Sequence, residues 1–258
     1  MNTPTLELSD VTFAYGRRAV LHEINLAVAA GEFVGLLGPN GSGKSTLLKL
    51  LYGHLQSAAG TVRLNGADLR TLAPREVARS IAVVPQESPD TFGFTVAERV
   101  LMGRHPFLGP FDFETEHDQT IAREAMLLTD TAQFAGRTLS EISGGERQRA
   151  LIASALAQTP EILLLDEPTA MLDIRYQAQI ISLLRRLNRE RHMTIVITLH
   201  DVNLAALSCR RLVVLKAGRV VHDSTPQAVL TKERMADIYE VPLCRVEALL
   251  PQLEDERA

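Results

Sequence analysis

A glycine-rich run with one lysine and one serine has the residue types and spacing of a phosphate-binding loop. It fits the pattern G-x-x-x-x-G-K-S/T and reads Gly38-Pro39-Asn40-Gly41-Ser42-Gly43-Lys44-Ser45-Thr46. Glycines allow a tight turn that brings backbone N–H groups against phosphate oxygens. Lys44 would place a positive charge at the β and γ phosphates, and Ser45 would offer a hydroxyl to Mg²⁺. The run therefore predicts a nucleotide-binding site.

The chain on either side of this run supplies the strand and the helix that a phosphate-binding loop requires. Residues 32–37 are a short run rich in apolar residues, which suits a buried strand. After the loop, Leu47, Leu48, Leu51 and Leu55 fall on one face of a helix. The N-terminus of that helix adds partial positive charge where the phosphates would lie.

A pair of carboxylates follows a second apolar run. Residues 162–165 are typical of a strand that is buried on both faces, and Asp166 and Glu167 come directly after it. Ligands of open α/β sheets bind beyond the carboxyl ends of such strands. Asp166 is therefore placed to hold Mg²⁺, and Glu167 to orient or deprotonate a water that attacks the γ-phosphate.

A second glycine-rich turn, Ser143-Gly144-Gly145-Glu146, precedes another helical pattern. A helix that begins in this way can bind an anion at its N-terminus. Taken alone, a Ser-Gly-Gly turn is more often a flexible connection, so its interpretation depends on the rest of the chain.

Composition describes a globular protein with no sign of a membrane span or a secretory leader. The chain has 258 residues, 46% of them hydrophobic and 22% charged, and a net charge of −4. That charge gives no general electrostatic reason to expect nucleic acid as a partner. Cys209 and Cys244 are isolated, so we expect neither a structural disulfide nor a zinc site. These features favour a cytoplasmic protein.

The order of the patterns predicts an α/β fold interrupted by a helical insertion. Residues 5–37 and 61–85 are strand-like, whereas 87–158 are helical and rich in loops. From 161 onward, strand and helix patterns alternate through 161–165, 175–191, 193–198, 202–208 and 211–216. Such alternation is typical of a parallel sheet.

At this point the chain resembles the ATP-binding subunit of ABC transporters over nearly its whole length. The resemblance implies a single P-loop NTPase domain of ABC type, 1–258, with an N-terminal antiparallel β subdomain. The α/β core and β subdomain would occupy 1–86 and 159–258, and a helical subdomain 87–158. ATP and Mg²⁺ would be its cofactors.

The same resemblance implies roles for residues that are weak signals by themselves. Tyr15 would stack on adenine, and Gln86 would touch Mg²⁺ and sense a membrane subunit. Asp173 would belong to the D-loop, and His200 would contact the γ-phosphate as the switch histidine. Two copies would enclose two ATP molecules. Each ATP would lie between one P-loop and the opposite copy's Ser143, Gly144, Gly145 and Glu146.

Two positions depart from the usual family pattern. The turn at residues 143–146 corresponds to the family's signature motif. This signature commonly ends in glutamine and here ends in Glu146, which we expect to point toward the ribose or away from the phosphates. The D-loop commonly reads Ser-Ala-Leu-Asp and here reads Ala170-Met171-Leu172-Asp173. Neither Ala170 nor Met171 can donate a hydroxyl hydrogen bond, so we do not expect the polar contact that the family's serine would make.

Within this family, three segments resemble the importers of iron–siderophore, haem or vitamin B12. These segments are 92–107, 172–177 (which includes Tyr176-Gln177) and 183–188. The partners implied are transmembrane permease subunits and, indirectly, a substrate-binding protein. The chain would then sit on the cytoplasmic face of the inner or plasma membrane. Five of the eight phenylalanines lie between Phe92 and Phe113; we expect most in the core of the insertion and one or two in a groove for a permease helix.

Two other classes compete with this interpretation. One is a soluble ABC ATPase of a non-transport process, such as iron–sulfur cluster assembly, and co-purification with membrane proteins would separate it from a transporter. The other is a small P-loop kinase, which would leave the signature and His200 unexplained. Phosphate release without a phosphoryl acceptor would exclude the kinase.

Overall fold

The computed structural model describes residues 5–86 and 93–242, and Phe92 and Cys244 lie outside this part of the chain. Within it, two sheets are stacked through apolar side chains. The strands are β1 Leu6–Tyr15, β2 Arg18–Val28, β3 Phe33–Leu37, β4 Ala59–Leu64, β5 Ala67–Asp68, β6 Ile81–Val84, β7 Ile162–Leu165, β8 Thr194–Thr198, β9 Arg211–Lys216 and β10 Arg219–Ser224. The helices are α1 Lys44–Leu51, α2 Pro74–Ser80, α3 Val96–Leu101, α4 Glu116–Leu128, α5 Gly144–Ala157, α6 Ile174–Arg191, α7 Val202–Ser208, α8 Pro226–Val229 and α9 Lys232–Tyr239.

The larger sheet has six strands in the order β10-β9-β3-β8-β7-β6. All its pairings are parallel except the one between β10 and β9. Register brings Val84, Leu165 and Ile197 side by side at the ends of β6, β7 and β8. The loops that follow β3, β6, β7 and β8 therefore leave the sheet at one edge, and this edge is where ligands of such sheets bind.

The smaller sheet is antiparallel, with the order β2-β1-β4-β5. Its apolar side chains, with those of α1, cover one face of the large sheet; α5 and α6 contribute to the core on the other face. This arrangement matches the predicted α/β fold with an N-terminal antiparallel β subdomain and a helical insertion. The domain boundaries at 86 and 158 stay a prediction.

Strand β1 contains a bulge that the sequence shows as a break in alternation. Leu6, Leu8, Val11 and Phe13 all face the core, so the inward phase resets at Asp10, whose φ is 51°. The carboxylate of Asp10 accepts a hydrogen bond from Asn25 Nδ2 at 2.9 Å. The side chain of Asn25 also accepts the Asp10 N–H at 2.9 Å, which fixes the bulge.

Three of the described phenylalanines between 92 and 113 lie outside the core of the insertion, which corrects the expectation that most would lie in it. Phe111 and Phe113 are 93% and 86% exposed, and Phe94 is also exposed. The core of the insertion consists of aliphatic and small residues, including Val96, Val100, Ala122, Met126 and Ala150. Small side chains suit this site because they let α3, α4 and α5 pack closely.

A buried ion pair ties the insertion to the end of α5. Arg104 Nε donates to Asp118 Oδ1 at 2.9 Å, and Arg104 Nη1 donates to the carbonyl oxygen of Ala157 at 2.8 Å. Thr115 donates to the other carboxylate oxygen through its hydroxyl and its N–H. These Thr115 bonds and the bond from Arg104 lower the pKa of Asp118 to about 2.

We expect Asp118→Asn to lower the free energy of unfolding by about 3 kcal/mol, because it leaves a buried guanidinium without its counter-charge. The pKa of Asp118 is depressed in the fold, so its contribution is complete above the ordinary pKa of 3.8 and is lost as the pH falls toward 2. Urea denaturation of the wild type and the variant between pH 7 and pH 3 measures the difference. Glu124→Gln, at an exposed position of α4, is the control and should change stability little. Equal unfolding midpoints for wild type and Asp118→Asn would contradict a stabilising role for this pair.

Candidate active site

The phosphate-binding loop is a bridge of backbone between β3 and α1. Gly38, Gly41 and Gly43 all have positive φ, at 141°, 76° and 106°. A Cβ at Gly38 would lie 2.0 Å from the carbonyl oxygen of Leu215, so only glycine fits there. The loop is supported from outside by Gly218, whose N–H donates to the carbonyl oxygen of Ser42 at 3.2 Å.

Lys44 begins α1 and is nearly buried. Its ammonium donates to the carbonyl oxygens of Gly38 at 2.8 Å and Pro39 at 3.2 Å, so the lysine folds back over its own loop. Burial lowers the pKa of Lys44, while the negative charges of Glu167 and Asp166 act in the opposite direction. The charge of Lys44 therefore interacts with those of the two carboxylates, although Lys44 and Asp166 are far apart in sequence.

Thr198, at the end of β8, holds the carboxylate of Asp166 and the backbone of Glu167. Thr198 Oγ1 donates to Asp166 Oδ1 at 2.7 Å and accepts the N–H of Glu167 at 2.8 Å. Glu167 has a φ of 49°, a left-handed conformation that costs free energy in a residue with a side chain. Sequence reasoning missed Thr198, because a threonine that ends a buried strand carries no signal of its own.

Gln86 and His200 meet at the carboxylate of Glu167. Gln86 Nε2 donates to Oε2 at 2.8 Å, and His200 Nε2 lies 2.5 Å from Oε1. These residues follow β6, β7 and β8, which are adjacent in the sheet. The structure thus brings together three residues that the sequence predicted as catalytic, at the edge where the phosphate-binding loop also lies.

Tyr15 lies at the end of β1, where the chain turns into β2. It is exposed, and its ring packs edge-on against Phe13 with centroids 4.8 Å apart. Strand β2 contacts the phosphate-binding loop, since a Cβ at Gly43 would lie 2.6 Å from a methyl of Leu21. Tyr15 is therefore an exposed aromatic ring on a hairpin that touches the loop.

The signature residues lie at the start of α5, against the beginning of α6. Ser143 caps α5, and its hydroxyl lies 3.4 Å from the hydroxyl of Tyr176. Among the described residues, no hydrogen bond joins residues 143–146 to the phosphate-binding loop of the same chain. Asp173 is also a helix cap: its Oδ1 accepts the N–H of Tyr176 at 3.0 Å.

Glu146 turns back onto its own helix, which decides between the two orientations expected for it. Its Oε2 accepts the N–H of Ser143 at 2.8 Å, while the Ser143 hydroxyl accepts the N–H of Glu146 at 3.4 Å. The bonds from the backbone and hydroxyl of Ser143 lower the pKa of Glu146. This reciprocal cap keeps the carboxylate engaged, so its negative charge is directed at the helix N-terminus.

The donor atoms at the sheet edge fit a nucleotide phosphate and Mg²⁺. Ser42 Oγ is buried and has no hydrogen-bond partner within residues 5–86 and 93–242, and a bound phosphate would satisfy it. The Ser45 hydroxyl, the Asp166 carboxylate and the side-chain oxygen of Gln86 are hard oxygen ligands of the kind that Mg²⁺ prefers. Thr198 occupies only one oxygen of Asp166.

The geometry defines a P-loop nucleotide-binding α/β protein. A family model described as "ABC transporter" matches residues 21–170, which is more than half of the chain. The chain belongs to the ABC transporter family. Across the part of the chain that the structure describes, helices of the length and apolarity needed to cross a membrane are absent.

Several curated relatives of this chain are named as import ATP-binding proteins. It is 37% identical to the iron(3+)-hydroxamate import ATP-binding protein FhuC of Bacillus subtilis, over 92% of this chain and 88% of that protein. It is 43% identical to the hemin import ATP-binding protein HmuV of Nocardia farcinica, over 88% and 77%. It is 40% identical to the cobalamin import ATP-binding protein BtuD of Halobacterium salinarum, over 92% and 59%.

Some relatives are much longer than this chain, which spans 59% of BtuD and 51% of another ABC transporter ATP-binding protein. Among solved structures, the dimeric bacterial ABC transporter cassette MJ0796 is similar with a TM-score of 0.75 and 30% identity. That similarity covers 86% of this chain and 98% of the cassette. The predicted family and fold are confirmed.

Proposed function

We propose that this chain binds and hydrolyses ATP to power a membrane ABC importer for cargo of the iron–siderophore, haem or vitamin B12 type. One observation carries the proposal: Lys44, Asp166, Glu167, Gln86 and His200 converge at one edge of the sheet. Phosphoryl transfer to water needs a positive charge to bind the phosphates, carboxylates to hold Mg²⁺ and activate the water, and polar side chains to orient these groups.

In the proposed mechanism, the backbone N–H groups of the loop and the N-terminus of α1 hold the β and γ phosphates. Lys44 exchanges its two carbonyl partners for phosphate oxygens. Glu167 accepts a proton from the attacking water, and Gln86 and His200, which both contact its carboxylate, fix its orientation. Once ATP is bound, His200 would also contact the γ-phosphate, because it lies beside the carboxylate that activates the attacking water.

Mg²⁺ would be held by Ser45 and Asp166, with Gln86 as a further oxygen donor, and would offset the negative charge of the phosphates. Thr198 fixes the side chain of Asp166 through its hydroxyl, so this carboxylate is oriented before any ligand binds. Tyr15 would offer its exposed ring to the adenine.

The location of the signature supports a homodimer. Ser143, Gly144, Gly145 and Glu146 start a helix that can bind an anion, yet their contacts in this chain are with α6. A second copy would place them against the ATP held by the first, as Asp173 approaches from the adjacent loop. Similarity to a dimeric cassette is consistent with this arrangement.

The exposed phenylalanines support a membrane partner. Phe111 and Phe113 present two large apolar rings close together on the loop before α4, and such patches are commonly covered by another protein. A transmembrane permease subunit would cover them, with a substrate-binding protein acting on the permease from the other side. The relatives' names support this class of cargo, and the ATPase of such an importer would lie on the cytoplasmic face of the membrane, where ATP is present.

Phosphate release and membrane capture test the proposal together. The purified chain should release phosphate from ATP only with Mg²⁺ and without a phosphoryl acceptor. A tagged copy expressed in its host should co-purify from detergent-solubilised membranes with an integral membrane protein, and Phe111→Ser with Phe113→Ser should reduce that capture. Hydrolysis with no membrane partner would favour the soluble class of ABC ATPase instead.

A further inference from the structure

Tyr176 and Gln177 occupy the first turn of α6, directly after the helix cap Asp173. The pair belongs to a segment that resembles importer ATPases, but neither residue has a role in the nucleotide site described above. Both side chains are half-buried and turn toward loops that act in the proposed dimer.

The ring of Tyr176 packs against the signature turn at Gly145. A Cβ at Gly145 would lie 2.2 Å from a ring carbon of Tyr176, so the backbone of α5 rests directly on the ring. The Tyr176 hydroxyl lies 3.4 Å from Ser143 Oγ, and a Cβ at Gly144 would lie 3.7 Å from a methyl of Leu172. Ser143 and Gly145 therefore lie against the start of α6, and Gly144 faces the loop that precedes it.

Gln177 holds the loop on the other side of Asp173. Its Nε2 donates to the carbonyl oxygens of Thr169 at 3.3 Å and Leu172 at 3.0 Å. Between these residues Met171 has a φ of 58° and is fully exposed. The same loop begins at Glu167, whose carbonyl oxygen accepts the N–H of Ala170 at 3.0 Å.

We propose that Tyr176 and Gln177 are positioning residues that join the signature turn and the loop 167–173 into one rigid unit. This inference rests on the proposed function, in which the signature of one copy contacts the ATP of the other. The loop leads back to Glu167, which would act on the ATP of its own copy. One aromatic ring and one amide thus connect the two nucleotide sites of the dimer, and neither residue touches ATP.

The test is ATP-driven dimerisation in a Glu167→Gln parent, measured by sedimentation velocity. Tyr176→Ala should weaken the ATP-bound dimer about tenfold, because residues in contact are commonly coupled by this much. ATP affinity of the monomer, measured by calorimetry with Mg²⁺, should stay within about twofold of the parent, since neither residue contacts the phosphate-binding loop. Arg175→Ala, which removes an exposed side chain from the same helical turn, is the matched control and should dimerise like the parent. Ser143→Arg, within the signature turn itself, gives the reference for complete loss of ATP-driven dimerisation.

Two further variants separate positioning from general loss of structure. Tyr176→Phe keeps the ring beneath Gly145 and should restore dimerisation to within about twofold, because only the long hydroxyl contact is lost. Gln177→Leu keeps the size of the side chain but removes its two hydrogen bonds to the loop carbonyls, and should weaken the dimer even if Tyr176→Ala fails to fold.

Normal dimers in both Tyr176→Ala and Gln177→Leu would overturn the inference. So would equal loss in Tyr176→Phe and Tyr176→Ala, because the ring would then contribute nothing. If the Glu167→Gln parent itself forms no dimer with ATP, the proposed function fails at that step and the inference falls with it.

Discussion

Glu167→Gln is expected to abolish turnover while ATP binding survives. The amide keeps the size of the carboxylate and one acceptor oxygen, but it cannot accept a proton from water. General-base catalysis contributes about a hundredfold to ten-thousandfold, so phosphate release should fall by that factor. Removing a negative charge beside the phosphates should also strengthen binding of the unhydrolysed nucleotide, and the ATP-bound dimer should accumulate.

The local structure makes this substitution a clean test. Gln86 donates to one oxygen of Glu167 and His200 contacts the other, so the new amide lies between two polar groups that can adapt. The new amide can present its oxygen to Gln86 Nε2 and its N–H₂ group to His200 Nε2, so Gln86 keeps its oxygen for Mg²⁺. The left-handed backbone at Glu167 and the bond that its N–H donates to Thr198 do not involve the side chain, so they should remain.

Phosphate release, ATP calorimetry and gel filtration with ATP should be measured on the same preparations. Glu161→Gln is the matched control, since it makes the same chemical change at the opposite end of β7 and should keep normal turnover. His200→Ala should also lose turnover, with a weaker dimer than Glu167→Gln. Wild-type turnover in Glu167→Gln would remove Glu167 from the catalytic role.

The sequence predicted the edge of the sheet well because its groups follow strands. Apolar runs before Gly38 and Asp166 have the continuous hydrophobicity of buried parallel strands, and parallel strands bring their carboxyl ends to one edge. The alternation after residue 161 likewise located the strands and helices of the core. Local patterns were sufficient wherever one strand or helix decides the position of a side chain.

Other features depend on contacts between distant parts of the chain and were not predicted. The strand Arg219–Ser224 and the helix Lys232–Tyr239 carry mixed polar patterns, and they form by packing on β9 and the core. The contacts of Thr198 with Asp166 and Glu167 could be recognised only from the order of strands in the sheet, in which β8 lies beside β7. The phenylalanines were expected in the core because of their hydrophobicity, but Phe111 and Phe113 lie on a loop that no described element covers.

The residues of the signature turn, 143–146, were only partly explained by the sequence. Glu146 departs from the family pattern, yet the structure shows a reciprocal cap with Ser143 that accounts for a carboxylate at this position. Gly145 would be interpreted as a flexible turn residue, whereas it is a place where a tyrosine ring leaves no room for a side chain. The cap between Ser143 and Glu146 is a local pattern that the sequence itself contains, whereas the contact at Gly145 requires the position of α6.

Lys44→Ala should remove most of the affinity for ATP. The ammonium is nearly buried among backbone groups, so its charge is poorly screened and acts strongly on a phosphate beside it. Loss of one partner in such a charge pair should weaken binding by about a hundredfold or more. The measurement is calorimetric titration with Mg²⁺ and ATP.

The charge must be separated from the packing of the side chain, because the ammonium also bonds the carbonyl oxygens of Gly38 and Pro39. Lys44→Met keeps the aliphatic stem and removes only the charge and its donors, so it should lose affinity to the same extent as Lys44→Ala. Lys49→Ala deletes a lysine from the same helix away from the loop and should bind ATP normally. If Lys44→Met bound ATP as the wild type does, the lysine would only stabilise its own loop, and phosphate recognition would fall to the backbone N–H groups alone.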